Sequence, residues 1–413
     1  MNKTIREKSR QLKVAGAFDV IVAGGGMAGV AAAVAAARNG AKTCIIEKQC
    51  TLGGLATLGN VTIWLPLCDG KGRQVIAGLG KELLKLSVTD LKRENVTARF
   101  MGIPSCWKPG GNTQERTKTR YRVDFNPASY MLALEKLVIG AGVKLFYDTR
   151  LCSIRRKGRR IAHVIVENKS GRFALSCGTV VDATGDADVC FLAGEKTKSL
   201  DSNVPAGWFY TFGKGELKQH PLSNSYCPIG TKKGGKGPFF RGDDGDQVTA
   251  HILRTRDLAR AELAKLRAKH PGKDIQIIMP ATIACMRMTR RLAGRFTIEN
   301  KHMHRWFDDA IGLTGDWRRA GPVYAIPFGC LRGKRTDNLL AAGRCISAAN
   351  TVWDVTRAIP PCVVTGEAAG TAAALAVYLT KGNMRSLDSQ VLQNQLKKQG
   401  VLLDKELLTF SKT

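Results

Sequence analysis

The sequence predicts an α/β protein that is built on a parallel β-sheet. Three observations support this fold class. A strand, a helix and a second strand follow one another in residues 18–48, three or four short strands run through residues 142–189, and a short strand precedes an alanine-rich helix in residues 337–379. Parallel strands that alternate with helices form sheets covered on both faces. The 413 residues leave room for two or three domains.

Residues 18–48 have the pattern of a Rossmann-like dinucleotide-binding turn. An apolar strand, residues 18–23, is followed by three glycines in G-x-G-x-x-G spacing, which are Gly24, Gly26 and Gly29. Such glycines permit a tight turn, close approach of a pyrophosphate and close packing of helix on strand. The second strand ends at Glu47, where an acid holds a ribose 2′-hydroxyl. This acid disfavours NADP but leaves both NAD and FAD open.

Three later segments favour FAD over NAD. Gly53 and Gly54 provide a second place where backbone can lie close to an extended cofactor. An apolar strand ends in the small residues Ala183, Thr184 and Gly185, and a distant strand is followed by Gly343-Arg344. Thr365-Gly366 is expected to open a helix whose N-terminus would stabilise negative charge on a reduced flavin.

These motifs resemble the FAD-dependent oxidoreductase family of the glutathione-reductase-like flavoprotein superfamily. The matching segments include "DVIVAGGGMAGVAAAVAAARNGAKTCIIEK", "LGGLAT", "VVDATGDADV", "MTRRLAG", "YAIPFGCL" and "NLLAAGRCISA", followed by "TGEAAGTAAA". They occur in the family's order across residues 18–380. The resemblance implies a Rossmann-like, glutathione-reductase-type FAD-binding domain with an inserted α+β substrate or cap domain.

The resemblance also implies which residues hold FAD. The positions are Gly24, Gly26, Met27, Ala28 and Gly29 at the pyrophosphate, Glu47 with Lys48 at the adenosine ribose, Gly53, Gly54 and Leu55 on the ribityl side, Leu151 at the adenine, Ala183, Thr184 and Gly185 nearby, and Gly343, Arg344, Gly366 and Ala368 at the flavin end. The sequence departs from the family at Phe328-Gly329, where Tyr-Arg is usual. An active-site arginine is therefore not expected at that point.

The motifs divide the chain into five regions. We expect a basic tail in residues 1–17, the first part of the FAD-binding domain in 18–195 with an insertion at about 86–128, a substrate or cap domain in 196–324, the second part of the FAD-binding domain in 325–385, and a C-terminal segment in 386–413. A glycine- and lysine-rich loop is expected at 230–246, and a charged helix at 247–268.

The favoured function is hydride transfer between flavin N5 and a small organic substrate, because the flavin supplies the redox chemistry. The arginines are compatible with an anionic substrate, since guanidinium groups bind carboxylates and phosphates bidentately. The catalytic candidates are Arg290, Arg291, Arg357 and Tyr324. The alternative interpretations are that Arg290 and Arg291 brace a domain interface and that Tyr324 is a packing aromatic.

Two other functions stay open. A flavin monooxygenase would use NAD(P)H and O2, and a nucleic-acid-binding flavoprotein, for example one that acts on tRNA, would explain the net charge of +30. The second is less favoured because the basic runs lack interleaved aromatic residues. The electron donor or acceptor and the oligomeric state are not predicted by any motif.

The cysteines argue against a disulfide framework and against a metal site. None of the twelve cysteines is spaced C-x-x-C, so we expect neither a disulfide reductase nor a zinc cluster. The N-terminus has no apolar stretch typical of a signal peptide, and the alanine-rich runs 28–37 and 366–378 are too short to span a bilayer. These features predict a reduced, cytoplasmic protein without a membrane span.

Overall fold

The structure is a computed structural model that describes residues 4–5, 7, 9–90, 102–213, 215–222 and 237–409. The described strands, in chain order, are β1 (Val14–Ala23), β2 (Thr43–Ile46), β3 (Ile63–Trp64), β4 (Val123–Asp124), β5 (Lys144–Phe146), β6 (Arg150–Lys157), β7 (Arg160–Asn168), β8 (Gly171–Asp182), β9 (Thr197–Ser199), β10 (Trp208–Gly213), β11 (Glu216–Pro221), β12 (Gln276–Pro280), β13 (Arg290–Leu292), β14 (Ala310–Gly315), β15 (Val323–Pro327) and β16 (Leu339–Ala341). The described α-helices are α1 (Met27–Arg38), α2 (Leu79–Ser87), α3 (Pro127–Gly140), α4 (Asp188–Leu192), α5 (Gly245–Lys269), α6 (Asn350–Thr356), α7 (Ile359–Thr380) and α8 (Ser389–Lys398).

The main sheet has seven strands in the order β5-β2-β1-β8-β7-β6, with β16 paired to β8. The pairs β1–β2, β1–β8, β2–β5 and β8–β16 are parallel, whereas β6, β7 and β8 pair antiparallel. The long strand β8 belongs to both the antiparallel and the parallel part of the sheet, because its first half pairs with β7 and its last residues pair with β16. The predicted parallel α/β sheet is therefore confirmed, with an antiparallel extension.

Helices α1 and α7 pack against each other at unusually close range. A Cβ at Gly366 would lie 2.2 Å from the carbonyl oxygen of Ala28, and one at Gly370 would lie 2.0 Å from that of Ala32. Only glycine allows the two backbones to approach so closely. The alanine-rich sequence of both helices thus follows from their packing, since small side chains let helix axes come together.

Helix α7 begins earlier than the sequence predicts. We expected its first turn at Thr365-Gly366, but the helix starts at Ile359, with Pro360 and Pro361 in its first turn. Proline is tolerated there because the first N–H groups of a helix have no intrahelical partner. The correction moves the helix N-terminus next to Arg357 and leaves Gly366 within the packed interior of α7.

The same helix bears on the expected absence of a membrane span. Helix α7 is the one helix in the described part of the chain that is long and apolar enough to cross a membrane, and 72% of its most apolar window is buried in protein. Core helices have the same length and composition, and α7 packs on α1 and β14.

The region between the two FAD-domain segments contains a small antiparallel sheet, β11-β10-β12, on which α5 packs. The predicted charged helix is confirmed, although it extends to Gly245–Lys269. The expected boundary between residues 324 and 325 falls inside β15, whose partner β14 packs on α7 and α8. The two strands therefore lie with the FAD-binding part.

The expected N-terminal tail differs from the structure, and two other expected segments lie partly outside the described residues. Strand β1 begins at Val14, so the end of the expected basic tail is paired with β8. Residues 91–101 of the expected insertion and 230–236 of the expected glycine-rich loop lie outside the described residues.

Candidate functional site

The first glycine turn is shaped by contacts that exclude side chains. A Cβ at Gly24, whose φ is +99°, would lie 2.5 Å from the carbonyl oxygen of Ala183, and a Cβ at Gly29 would lie 1.8 Å from that of Gly24. A Cβ at Gly26, in contrast, would meet nothing within 4 Å. Gly26 thus faces open space at the N-terminus of α1, while its two neighbours in the motif are locked in packing.

The second glycine pair lies directly against this turn. The amide of Gly53 donates to the carbonyl oxygen of Gly25 at 2.8 Å, and Gly26 and Gly53 form a parallel bridge. A Cβ at Gly54 would come within 3.2 Å of the Gly26 Cα. We call the contact between Gly24–Gly29 and Gly53–Gly54 the glycine junction; Leu55 lies in the short helical turn that follows it.

Glu47 lies at the end of β2 beside the glycine junction and is buried. Its carboxylate accepts hydrogen bonds from the amides of Gly25 at 2.6 Å and Gln49 at 2.8 Å, so its position is fixed from both sides. Lys48 is exposed next to it. The carbonyl of Glu47 accepts from the Thr149 amide at 3.1 Å, which brings the start of β6, with Leu151, to the same edge of the sheet.

The segment after β8 completes this edge. The amide of Ala183 donates to the carbonyl oxygen of Ala23 at 2.8 Å. Buried Asp182 accepts hydrogen bonds from the Thr184 hydroxyl at 2.7 Å and the Cys190 amide at 2.8 Å, while burial raises its pKa. Asp182 was not among the predicted site residues, and its role is to shape the loop that contains Gly185.

The residues predicted at the flavin end converge on the first turn of α1. A Cβ at Gly343, whose φ is +76°, would lie 2.6 Å from the Ala28 Cβ, and the Gly343 amide donates to the Thr365 hydroxyl at 2.9 Å. Gly366 touches the Ala28 carbonyl, and Ala368 is fully buried. Gly343, which is buried, therefore lies where α1 and α7 begin, and Gly366 lies between the two helices. Ala368 is buried within α7.

These residues fit an extended dinucleotide. The N-terminus of α1 presents amides without intrahelical partners and a partial positive charge, both of which favour a pyrophosphate. The open space at Gly26 is where a side chain would obstruct such a group. Gly26 would hold the pyrophosphate, Gly54 would lie along the adjoining ribityl side, and Glu47 would hold the adenosine ribose.

Arg344 is held by three contacts, one of which, with Met286, crosses from the FAD-binding part to the cap. Its guanidinium donates to the carbonyls of Gly185 at 2.8 Å and Met286 at 2.6 Å, and to the Asp186 carboxylate at 2.8 Å. Thr289 donates to the same carboxylate at 2.5 Å. Arg344 thus ties the loop after β8 to the segment that precedes β13.

Arg290 takes part in the same connection. It donates to the carbonyl of Asp186 at 2.8 Å and to the carboxylate of Asp188 at 2.6 Å, and it stacks on the Phe191 ring at 4.3 Å. Burial and the neighbouring carboxylates raise the pKa of Asp188 to about 6, although Arg290 opposes this. These contacts are the bracing role considered above, and the catalytic role of Arg290 stays a prediction.

Arg291 is buried as well. It donates to the carbonyl oxygen of Leu292 at 3.1 Å and lies 5.4 Å from the centre of the Trp353 ring. Burial lowers its pKa. The Arg291 side chain therefore packs against α6. This arrangement favours a role in bracing the domain interface over contact with substrate.

The other two catalytic candidates belong to one network. Arg357 binds Asp354 through Nε, at 2.8 Å, and Nη2, and Arg318 approaches Asp354 at 3.6 Å and binds Asp316 at 2.8 Å. Arg319 lies 3.5 Å from Asp316 and hydrogen-bonds Tyr324. We call Arg318, Arg319, Arg357, Asp316 and Asp354 the arginine–aspartate network.

This network contains more positive than negative charge. Both aspartate side chains are fully buried, whereas those of Arg318 and Arg357 are 23% and 18% exposed. Although burial opposes it, hydrogen bonds from Arg318 hold the pKa of Asp316 below its usual value. Sequence reasoning missed Arg318, Asp316 and Asp354; the "GDWRR" segment offered only a local cluster of charge.

Tyr324 lies on β15 and is almost fully buried. Burial raises its pKa, and Asp316 adds to that shift. The phenol therefore keeps its proton at neutral pH. Within the described ranges, no group of three or more His, Cys, Asp or Glu residues is placed to hold a metal ion.

Comparison with known proteins agrees with this geometry. The family model described as "FAD dependent oxidoreductase" matches residues 19–202 and 244–396, which is most of the chain. No curated protein matches the sequence.

Solved structures with a similar course of the chain have low sequence identity. A geranylgeranyl bacteriochlorophyll reductase-like protein from Thermoplasma acidophilum is 14% identical, with 95% of this chain and 90% of that chain covered and a TM-score of 0.43. PqsL from P. aeruginosa is 14% identical, with 95% and 94% covered and a TM-score of 0.41. A 3-ketosteroid-Δ4-(5α)-dehydrogenase from Rhodococcus jostii is 13% identical, with 88% and 98% covered and a TM-score of 0.40.

Proposed function

Because the chain belongs to the FAD dependent oxidoreductase family, we propose that it transfers a hydride between flavin N5 and a small organic substrate that carries an anionic group. The family makes the protein an FAD-dependent oxidoreductase. The hydride transfer and the anionic substrate are our proposal, and the arginine–aspartate network is the observation that carries it.

The position of the network supports this proposal. Arg357 directly precedes the residues that open α7, and the start of α7 lies beside Gly343 and the first turn of α1. The side chains of Arg318 and Arg357 remain 23% and 18% exposed. A carboxylate or phosphate would approach these exposed parts, and guanidinium groups hold such anions with fixed geometry.

Each part of the chain then has a separate task. FAD, when bound, supplies the atom that accepts or donates the hydride. The glycine junction holds the cofactor, Arg357 and Arg318 orient the anionic group of the substrate, and Tyr324 keeps a proton next to Arg319. Arg290 and Arg344 hold the cap against the FAD-binding part, so the network is presented in one geometry.

The first test is the absorption spectrum of the purified protein before and after denaturation. We expect flavin bands near ~450 and ~370 nm that pass into the supernatant, as for a non-covalently held flavin. A protein that stays colourless after incubation with FAD would contradict the assignment of the cofactor.

The second test is anaerobic reduction of the bound flavin by a panel of matched acids and their methyl esters. The proposal expects bleaching of the flavin by at least one acid and little by its ester. NAD(P)H oxidation that consumes O2 and is stimulated by an aromatic compound would instead favour a monooxygenase. Salt-dependent RNA binding without any flavin reduction would favour the nucleic-acid alternative.

A further inference from the structure

A polar cavity lies at the C-terminal end of α1, where α2, α7 and α8 also meet. It encloses about 150 Å³, and a cavity of roughly this volume admits a molecule the size of benzene. Arg38 in its wall lies ten residues after Ala28, about 15 Å along the helix, so the cavity is separate from the FAD-binding positions. We call it the helix-end cavity. Its polar wall residues are Arg38, Asn39, Glu82, Glu367, Gln395 and Gln399.

The innermost of these side chains is a buried acid. Glu367 is 1% exposed, and its carboxylate accepts hydrogen bonds from the Leu79 amide at 2.9 Å and from Nε2 of Gln399 at 3.4 Å. Among the described residues that line the cavity, Arg38 is the one cation, and it is already bound to Glu82 at 2.7 and 2.8 Å. A buried carboxylate is costly unless a counter-charge lies next to it. A cation in the cavity would supply that charge.

The backbone adds negative potential at the same place. Asn39 is the C-cap of α1 and Gln399 is the C-cap of α8, so the carbonyl ends of two helices meet at the cavity. Such ends carry a partial negative charge that favours cations. The N-terminus of α2 also reaches the cavity, but its first amide, that of Leu79, is taken by Glu367.

The wall also offers acceptors that have no donor. Nδ2 of Asn39 donates to the Ala35 carbonyl at 2.7 Å and to Oε1 of Gln399 at 2.9 Å, and Nε2 of Gln395 donates to the same oxygen at 3.3 Å. In the part of the chain that the structure describes, nothing donates to Oδ1 of Asn39 or to Oε1 of Gln395. Together with the Glu367 carboxylate, these oxygens leave acceptors on three different helices for a group rich in N–H donors.

From these observations we infer that the helix-end cavity binds a small organic cation with several N–H donors, of the guanidinium or amidinium type. Glu367 supplies the counter-charge, and the free oxygens of Asn39 and Gln395 accept from the N–H groups. The volume suits a molecule of about six heavy atoms. This site lies apart from the proposed substrate site, and the inference does not rest on the proposed function.

Methylguanidinium and N-methylurea test the inference on the full-length purified protein. The two molecules have the same number of heavy atoms and the same planar head, but only the first is charged. Calorimetric titration at pH 8 and constant ionic strength measures their binding. We expect methylguanidinium to bind at least about tenfold more tightly, because hydrogen bonds between charged groups are stronger than those of a neutral amide.

The affinity should also depend on pH. Burial raises the pKa of Glu367 to about 7, so this carboxyl loses its proton between pH 6 and pH 8, whereas methylguanidinium stays charged. The other charged groups that face Glu367 are Arg38 and Glu82, which are paired with each other. Because the cation binds the ionised carboxylate, we expect binding to be about tenfold weaker at pH 6 than at pH 8.

Two variants locate the binding. Glu367→Gln keeps the size of the side chain and an oxygen for the Leu79 amide, and we expect it to weaken methylguanidinium binding at least about tenfold at pH 8 and to abolish the pH dependence. Glu115→Gln alters an exposed carboxylate outside the cavity and should leave binding unchanged.

Four results would overturn the inference. They are equal binding of the two probes, unchanged methylguanidinium binding in Glu367→Gln, an equal loss of binding in Glu115→Gln, and no methylguanidinium binding at pH 8. The last result would mean that the cavity holds water only. No readout requires turnover, so failure of the proposed hydride transfer would not affect the outcome.

Discussion

The glycine junction and the cap interface, where the loop after β8 meets the segment around β13, are held together by different interactions. At the glycine junction, backbone lies against backbone, and Gly24 and Gly29 leave no room for a side chain. At the cap interface, Arg290 and Arg344 form ion pairs and donate to carbonyls of the opposite segment. A motif glycine therefore marks a place where two backbone segments touch. An arginine marks a charge whose partner is known only from the fold.

The largest effect is expected within the glycine motif itself. Gly29→Ala places a methyl group 1.8 Å from the Gly24 carbonyl oxygen, and we expect a loss of more than about 4 kcal/mol in the free energy of unfolding. Gly26→Ala should leave the stability of the FAD-free protein unchanged, because its Cβ meets open space, yet weaken FAD binding at least about tenfold. Denaturant unfolding and flavin titration measure the two effects. Equal stability of the two variants would contradict the distinction between Gly29, which is required for packing, and Gly26, which is required for cofactor binding.

Glu367, a buried acid in the sequence motif of α7, is expected to affect the pH dependence of folding stability. Glu367 accepts the Leu79 amide at 2.9 Å, and burial raises its pKa from 4.5 to about 7. The folded protein then binds this proton more tightly than the unfolded chain, so the free energy of unfolding should fall as pH rises from about 4.5 to 7.

Glu367→Gln should remove that decline and make the protein more stable than the parent by about 3 kcal/mol at pH 8, with little difference at pH 4.5. Urea unfolding across this range measures the effect. Glu115→Gln, at an exposed side chain, is the matched control. Parallel pH profiles for the parent and Glu367→Gln would contradict the prediction.

Substitutions of Arg290 and Arg357 distinguish an arginine that stabilises the domain interface from one that binds an anion. Arg290→Met strips Asp188 of its partner, and we expect a loss of about 2 kcal/mol, because the Asp188 side chain is partly exposed. Binding of a carboxylate such as benzoate, followed by the flavin spectrum, should not change. Arg357→Lys keeps the charge but loses the bidentate geometry, and we expect it to weaken benzoate binding about tenfold. If Arg290→Met weakens benzoate binding and Arg357→Lys does not, the two roles are reversed.

The smallest effect is expected for an exposed pair. Arg38 and Glu82 bind bidentately at 2.7 and 2.8 Å, but their side chains are 46% and 43% exposed. Arg38→Met should lower the free energy of unfolding by less than about 1 kcal/mol, and by less at high salt. A loss as large as that of Arg290→Met would mean that burial does not distinguish the two kinds of pair.

Local patterns were sufficient for the cofactor-binding part. The order of strand, glycine turn, helix, strand and acid predicts the turn at Gly26 and the acid at Glu47, because each feature depends on neighbours within one βαβ unit. The sequence offered Gly53 and Gly54 only as a place of close approach to a cofactor, and the hydrogen bond between Gly53 and Gly25 is a finding of the structure. The start of α7 was predicted too late because prolines, which usually mark the end of a helix, are also accepted in its first turn.

The partners of the arginines depended on the tertiary structure. Arg290 and Arg357 look alike in sequence, but the fold places Asp188 and the Asp186 carbonyl against one, and Asp354 with its link to Arg318 against the other. Charge pairing acts between atoms a few ångströms apart, whatever their separation along the chain, so no local pattern encodes it.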